Sequence, residues 1–294
     1  MKLAAIDIGS NAARLLVTEV TTDKNNKTSF TKLSLVRVPL RLGFDVFDSG
    51  KISEHKAQLL LLTMKGFLNL TQAFEVKKMK ACATSAMRDA TNTPEIIARV
   101  KEETSIEIEV ISGGDEASLV FENHIAENLN KDHSYLYIDV GGGSTELTFF
   151  NNNKMILKDS FNIGTIRLLK NQVEDATWDG MKETIRAKIK GLKTVTAIGS
   201  GGNINKIFSI SKRKDGKPLS LDLLRDYYKE LNNVSLQDRV SIYKLKEDRA
   251  DVIVPALKIY ISCMRWAGAE EIYVPKIGLA DGLIQHLWEE ENRK

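Results

Sequence analysis

The chain has 294 residues, of which 43% are hydrophobic and 28% charged, and its formal net charge is +3. This composition is typical of a globular protein with a sizeable core, and the length suggests about two domains. The small net charge excludes the strongly basic composition of many nucleic-acid and membrane-surface binders. We therefore expect neither nucleic acid nor a membrane among the partners.

The sequence also predicts where the protein works. It has no run of 18 apolar residues, and Asp7 comes too early for the apolar core of a signal peptide. Its two cysteines, Cys82 and Cys263, both lie in apolar runs. Buried free thiols are typical of a reducing compartment, so a cytoplasmic protein is expected.

The first half of the chain reads as an α/β unit of order βββαβαβα. Ser53 can cap the first helix, and Thr93 followed by Pro94 marks the start of the second. A third helix follows Gly113 and Gly114. Alternating or apolar runs predict strands at residues 2 to 8, 13 to 20, 29 to 38, 78 to 84 and 106 to 111.

The second half repeats this order. A terminal amphipathic helix is predicted at 279 to 291, and Pro255 is expected to start or kink its helix. Other helices are predicted up to about residue 192 and from Asn203 to about 267. Strands are predicted at 134 to 140, 145 to 150, 154 to 162, and in the segments "TVTAIGSG" and "EIYVP".

The strongest internal signal is a repeated strand, turn and strand. The segment "AIDIGSNAARLLVTEV" aligns with "YIDVGGGSTELTFF", so that Asp139 follows Asp7 by 132 residues. In each copy a carboxylate ends a core strand, and a turn of small residues lets backbone N–H groups approach an anion. An ordinary Asp-Gly turn is the alternative for one copy. Two copies, with a third glycine segment "AIGSGGN", favour a phosphate site.

Known phosphate motifs of other kinds do not account for these segments. Neither the Walker pattern nor the dinucleotide G-x-G-x-x-G occurs, and a strand rather than a helix follows the glycines. The turns are therefore predicted to be hairpin turns that hold a metal or phosphate at their mouth.

The order of motifs resembles a known family. The segments are "IDIGSNAARLLV", "ATSAMRDATN", "VISGGDEASLVF", "IDVGGGSTEL", "NIGTIRL", "DRADVIVPAL" and "GLADGL". They resemble those of the exopolyphosphatase and guanosine pentaphosphate phosphohydrolase family, within the actin-like phosphotransferase superfamily. The resemblance implies an α/β protein with two duplicated ribonuclease-H-like domains, each βββαβα with extra helices, and a cleft between them. Residues 1–122 and 123–294 would form the domains, and the final helix at about 279–292 could pack back on the first.

The resemblance also implies roles for individual residues. Asp139 and Glu146 would be catalytic and, with Asp7, would hold Mg²⁺ or Mn²⁺; Glu146 as an outward strand residue is the alternative. Arg88 offers a planar fork for a phosphate, with a surface ion pair as its alternative, and Arg249 could instead be only solvated. The phosphate-binding set would be Gly9, Ser10, Asn11, Arg88, Gly141, Gly142, Gly143, Ser144, Gly164, Thr165 and Arg249.

Two acidic residues compete for the role of general base. Asp115 and Glu116 fall in the first turn of the helix in "ISGGDEASLVF", where the helix dipole favours ionised carboxylates. Both could merely cap the helix. The resemblance assigns the base to Glu116, and capping is expected of Asp115.

The chain departs from the family in one motif and in length. Where the family has G-L-R-E-G, this chain has Ala280 in place of the arginine. The C-terminal helical region of longer members is also absent from this sequence. Both differences predict a weaker grip on long phosphate chains and a preference for short ones, and they leave a homodimer open.

The sequence therefore predicts a metal-dependent hydrolase that releases terminal orthophosphate from inorganic polyphosphate. Hydrolysis of guanosine pentaphosphate is the alternative, because both substrates end in the same phosphoanhydride. A non-catalytic sensor of a phosphorylated ligand is the alternative from another class. A sugar kinase is disfavoured by the short chain.

Overall fold

A computed structural model describes residues 1–121, 133–152, 154–192 and 194–292 of the chain. The chain forms two compact units, Met1–Asn123 with Gly278–Lys294, and His124–Ile277. The predicted boundary at residues 122 and 123 lies outside the described residues. Each unit combines one mixed sheet with helices, so the predicted α/β class is confirmed.

The first unit has the predicted strand order along the chain. Its elements are β1 (Lys2–Ile8), β2 (Ala13–Thr22), β3 (Thr28–Val38), α1 (Gly43–Ser49), α2 (Glu54–Ala73), β4 (Lys78–Ala83), α3 (Ser85–Asp89), α4 (Thr93–Thr104), β5 (Ile108–Val110), α5 (Gly113–Phe121) and, from the C-terminal segment, α13 (Leu279–Asn292). The sheet order is β3-β2-β1-β4-β5, with β1 antiparallel to β2 and parallel to β4.

The second unit repeats this arrangement. Its elements are β6 (Ser134–Val140), β7 (Thr145–Asn151), β8 (Lys154–Phe161), α6 (Thr165–Leu169), α7 (Asp175–Ile189), β9 (Val195–Ser200), α8 (Gly202–Ile210), β10 (Leu219–Ser220), α9 (Leu221–Asn232), α10 (Leu236–Tyr243), α11 (Glu247–Ala250), α12 (Ile253–Ala267) and β11 (Glu271–Tyr273). The sheet order is β10-β11-β9-β6-β7-β8, so the five strands β8-β7-β6-β9-β11 match the first sheet. The predicted duplication is confirmed.

Helix α13 packs on the sheet of the first unit. Its apolar face joins a core cluster that contains Leu3 and Ala5 of β1. Gly282 allows close contact with α5, because a Cβ there would lie 1.9 Å from the carbonyl oxygen of Leu119. Lys32 of β3 pairs with Asp281 at 2.5 Å. The C-terminal helix therefore belongs to the unit that begins the chain.

Several local predictions hold, and a few elements differ. The Ser53 hydroxyl accepts a hydrogen bond from the Lys56 N–H and caps α2 as predicted. Pro255 is the third residue of α12, in the first turn, where its missing N–H leaves no helical bond unmade. Helices α1 and α3 span only seven and five residues, too few for a clear periodic pattern.

Strand β5 is shorter than predicted. It covers Ile108–Val110, whereas the alternation of apolar residues predicted 106 to 111. It pairs only with Ala81, Cys82 and Ala83 at the end of β4, so hydrogen bonding ends the strand before the apolar pattern does.

Two further predictions concern single residues and membranes. Cys82 and Cys263 are buried free thiols, as predicted. Burial, with nearby Glu109 also acting, raises the pKa of the Cys82 thiol to about 12, so it stays protonated near neutral pH. Within the described part of the chain, no helix has the length and apolarity to cross a membrane.

Candidate phosphate and metal site

The two hairpin turns have the same main-chain geometry. The Gly9 N–H donates to the carbonyl of Ala12 at 3.0 Å, and the Gly141 N–H donates to that of Ser144 at 2.9 Å. In each copy the strand before the turn carries the aspartate at the position before its last residue. The repeat in sequence is therefore a repeat in structure.

The two copies differ in the residue opposite the aspartate. Asp7 of β1 pairs in register with Arg14 of β2, and Arg14 Nη1 donates to Asp7 Oδ2 at 2.8 Å. Asp139 of β6 pairs in register with Glu146 of β7. Opposite charges thus face each other in the first unit, whereas like charges face each other in the second. Like charges in such a cross-strand pair are destabilising unless a cation offsets them.

Glu146 is buried and oriented by two hydroxyl groups. The residue is only 3% exposed. Its Oε1 accepts hydrogen bonds from Ser144 Oγ at 2.6 Å and Ser160 Oγ at 2.9 Å. Glu146 is therefore not a solvated surface residue of the strand, while its role at a metal stays a prediction.

The glycine turn of the second unit is clamped by the start of α6. The N–H groups of Thr165 and Ile166 donate to the carbonyls of Gly141 and Gly142, at 3.0 and 2.8 Å. Arg167 Nε donates to the carbonyl of Gly143 at 2.9 Å. Because the carbonyl and N–H of a peptide point in opposite directions, the amides of the turn face away from α6, as in an anion nest. Thr165 and Arg167 thus support the turn through these bonds.

Gly164 is required by close packing against the same turn. A Cβ on Gly164 would lie 2.4 Å from the backbone of Gly142 and of Gly143, and backbone atoms cannot move aside. The sequence placed Gly164 among the phosphate contacts. The structure gives it a steric reason for being glycine, while a phosphate contact stays a prediction.

We expect Gly164→Ala to destabilise the protein by about 3 kcal/mol or more and to abolish function, because overpacking would displace the turn. Gly180→Ala in α7 is the matched control, since nothing lies within 4 Å of its added Cβ. That control should be neutral or stabilise by about 0.5–1 kcal/mol. Denaturant unfolding of both variants checks this, and equal stabilities would contradict the clamp.

A third turn, between β9 and α8, lies beside Asp139. Gly201 has φ +109°, and a Cβ there would lie 3.2 Å from Asp139 Oδ1. No side chain caps α8, so its first N–H groups are left for another acceptor. Arg249 is partly buried and its Nη1 donates to the carbonyl of Gly202. It is therefore attached to this turn rather than merely solvated.

The sequence noted the "AIGSGGN" segment but assigned no role to its residues. Gly201, which lies beside Asp139, and Gly202, whose carbonyl accepts from Arg249, are thus residues of the candidate site that sequence reasoning missed. The glycine pair at a strand end was the signal that could have assigned them.

In the first unit, residues that follow β3 hold the hairpin turn. The Arg41 N–H donates to the carbonyl of Asn11 at 2.9 Å, and the Gly43 N–H donates to that of Ser10 at 2.8 Å. Arg41 itself has φ +53° and lies over the Phe44 ring. The sequence reasoning missed Arg41, and no local pattern places it beside residues so far back in the chain.

Arg88 and the two candidate bases lie near one another in the first unit. Arg88 Nη1 donates to the carbonyl of Ile111 at 2.7 Å, next to the start of α5. Ser112 Oγ accepts from the Asp115 N–H at 3.1 Å and donates to Asp115 Oδ2 at 2.6 Å. Ser112, not Asp115, is therefore the residue that precedes and caps the helix, and the Asp115 carboxylate accepts from the capping hydroxyl. Glu116 is partly buried, and its backbone N–H donates to the Ser112 carbonyl at 3.0 Å.

Among the described residues, those of the second unit fit a hard divalent cation better than those of the first. Within residues 1–121 and the other described ranges, no three His, Cys, Asp or Glu residues group as a metal cluster. Mg²⁺ commonly uses one or two carboxylates with water and substrate phosphate, so Asp139 and Glu146 suffice. Asp7 fits less well, because one of its oxygens already accepts from Arg14.

Comparison with known proteins shows the relatives of this chain. The model of the Ppx/GppA phosphatase family matches residues 20–291. A bifunctional 3-dehydroquinate synthase/phosphatase of Fusobacterium nucleatum is 30% identical over 92% of this chain, which spans 44% of that protein. Exopolyphosphatase 1 of Mycobacterium tuberculosis is 26% identical over 97% of this chain and 87% of its own length. The crystal structure of an exopolyphosphatase from Cytophaga hutchinsonii is 25% identical, with a TM-score of 0.84 over 99% of this chain and 98% of its own.

Proposed function

Because the chain belongs to the Ppx/GppA phosphatase family, we propose that it releases terminal orthophosphate from inorganic polyphosphate by metal-dependent hydrolysis. The observation that carries the proposal is the facing pair Asp139 and Glu146 at the mouth of a glycine turn. Two carboxylates beside an anion nest would attract a cation and a phosphate together. The names of the relatives support this reading.

The metal would be held in the second unit. We propose that Asp139 and Glu146 bind Mg²⁺ or Mn²⁺, directly or through water, while Ser144 and Ser160 keep Glu146 oriented. When bound, a hard cation would neutralise part of the negative charge on the phosphate. Asp7 is assigned instead to the ion pair with Arg14, which orients the first hairpin.

Candidate phosphate contacts lie in each unit, considered by itself. In the second unit these are the amides of the Gly141–Ser144 turn, the first amides of α8 and the Arg249 guanidinium. In the first unit they are the Ser10 and Asn11 turn and Arg88. Phosphoryl transfer depends mainly on positioning and on neutralising charge, which such groups provide.

Glu116 would accept the proton of the attacking water. Its place in the first turn of α5 favours the ionised form, because the helix dipole stabilises negative charge there. Asp115 is used in capping and is exposed, so it is the weaker candidate.

The substrate would preferably be a short chain. Ala280 stands where the family has arginine, and it is buried in the core cluster of the first unit. Because alanine carries no charge, this chain has one cation fewer than the family motif with which to grip a long polyanion. A homodimer stays a prediction.

Phosphate release measured side by side tests the proposal. The substrates are tripolyphosphate, long-chain polyphosphate, guanosine pentaphosphate and ATP, each with Mg²⁺ and with Mn²⁺. We expect the highest kcat/KM on short polyphosphate. Release from guanosine pentaphosphate alone would favour the alternative substrate, and binding without any release would favour a sensor.

A further inference from the structure

The hydroxyl of Tyr260 reaches the point where two neighbouring strands stop pairing. Tyr260 lies on α12 and is wholly buried. Its hydroxyl donates to the carbonyl of Ser200, the last residue of β9. The pairing of Asp139 with Ser200 directs the N–H of Val140, the last residue of β6, to the same carbonyl. A side chain from a distant helix thus forms a bridge from α12 to the last rung between the two strands.

The bridge stands where the pairing of the strands stops. The last pair in register between the parallel strands is Asp139 with Ser200. Beyond it the chains separate, one into the glycine turn after Val140 and the other into the turn before α8. The hydroxyl therefore holds the Ser200 carbonyl from the side of α12, at the last rung of the ladder and one residue before the Gly201 turn.

The groups around the bridge belong to the proposed metal and phosphate site. A Cβ on Gly201 would lie 3.3 Å from the Tyr260 hydroxyl, 3.2 Å from Asp139 Oδ1 and 3.1 Å from the carbonyl oxygen of Val140. The hydroxyl, the carboxylate and the third turn are thus packed around one point. A shift of the strand ends would move Asp139 relative to the start of α8.

The Tyr260 hydroxyl is an exception among the buried side chains of α12. The buried neighbours of Tyr260 on this helix are apolar, among them Leu257, Ile259 and Met264. A buried hydroxyl is tolerated only when it is hydrogen-bonded, and this one donates to the end of β9. A phenylalanine would fill the same volume, so packing alone does not explain the oxygen atom.

We propose that Tyr260 is a positioning residue that fixes Asp139 and the Gly201 turn relative to each other. The inference rests on the proposed function for what Asp139 binds. It assigns the hydroxyl a role in the geometry of the site that no hairpin residue supplies.

The test compares Tyr260→Phe with Ile259→Val. The first deletes one oxygen atom, and the second removes a methyl group from the neighbouring core position on the same helix. Two measurements are made on each full-length variant. The first is amide hydrogen exchange without metal, and the second is the Kd for Mg²⁺ by calorimetry.

We expect Tyr260→Phe to speed exchange locally, at Val140 to Ser144 and at Gly201 to Asn203. It should also weaken Mg²⁺ binding by about 10- to 100-fold, as loss of a group that orients a ligand does. Ile259→Val should leave the Kd unchanged, with any faster exchange spread over the unit.

Every other outcome also bears on whether Tyr260 is a positioning residue. Unchanged local exchange in Tyr260→Phe overturns the inference whatever the metal does, and so does faster local exchange with a wild-type Kd. If the wild-type protein binds no Mg²⁺, the proposed metal role fails. The exchange data alone then decide whether Tyr260 positions the two turns.

Discussion

Replacing Glu116 by glutamine is expected to lower phosphate release by about 10²- to 10⁴-fold, the range for loss of a general base. Glutamine keeps the size and polarity of the side chain but cannot accept the proton of water. Because the Ser112 hydroxyl caps the helix through the Asp115 N–H, the helix should stay formed. Stability and affinity for polyphosphate should therefore stay close to wild type. Single-turnover and steady-state phosphate release would measure the loss.

Asp115→Asn is the control for this prediction. It weakens the hydrogen bond from the Ser112 hydroxyl to the Asp115 side chain and removes a favourable charge at the helix start, at a cost of about 0.5–1 kcal/mol of stability. Its turnover should stay near wild type. The reverse pattern, with a large loss in Asp115→Asn and little in Glu116→Gln, would show that the assignment is wrong by one residue.

Asp139→Asn is expected to abolish Mg²⁺-dependent phosphate release, with a loss of more than about 10²-fold, because a ligand of the proposed cation is lost. The variant also removes one of two like charges that face each other across β6 and β7. The metal-free variant should therefore melt at the same temperature as the wild type or higher. Mg²⁺ should no longer raise the Tm, since only ligands that bind the folded state stabilise it.

Asp7→Asn is the matched contrast from the other copy of the repeat. Asp7 is 4% exposed and pairs with Arg14, so its loss should lower stability by about 1–3 kcal/mol. The shift of Tm on addition of Mg²⁺ should persist. If Asp7→Asn instead lost the Mg²⁺ effect and Asp139→Asn kept it, the metal would belong to the first unit.

Local patterns explain how much of the fold was predictable. The strands of both hairpins came out within a few residues, because alternating apolar residues and a small-residue turn act over fewer than ten positions. The Ser53 cap and the first-turn position of Pro255 are equally local. Short elements such as α3, with five residues, offer too few positions for any period to appear.

The repeat of Asp7 and Asp139 was enough to predict which turns would form the site, since backbone turn chemistry depends on neighbours in sequence. The partners of those turns were decided by tertiary structure. Arg41 reaches the Ser10 and Asn11 turn, and α6 clamps the second turn.

The sequence by itself determined the α/β class, the duplicated hairpins and the family, because each follows from local periodicity and from ordered motifs. Only the tertiary structure decided that Asp7 is neutralised by Arg14, that Glu146 is buried against two serines and that Tyr260 bonds to the end of β9. The Tyr260 bond joins residues 60 positions apart. The reason is physical: hydrogen bonds and charge pairs between distant residues depend on how the helices pack against the sheet, and no short stretch of sequence contains that geometry.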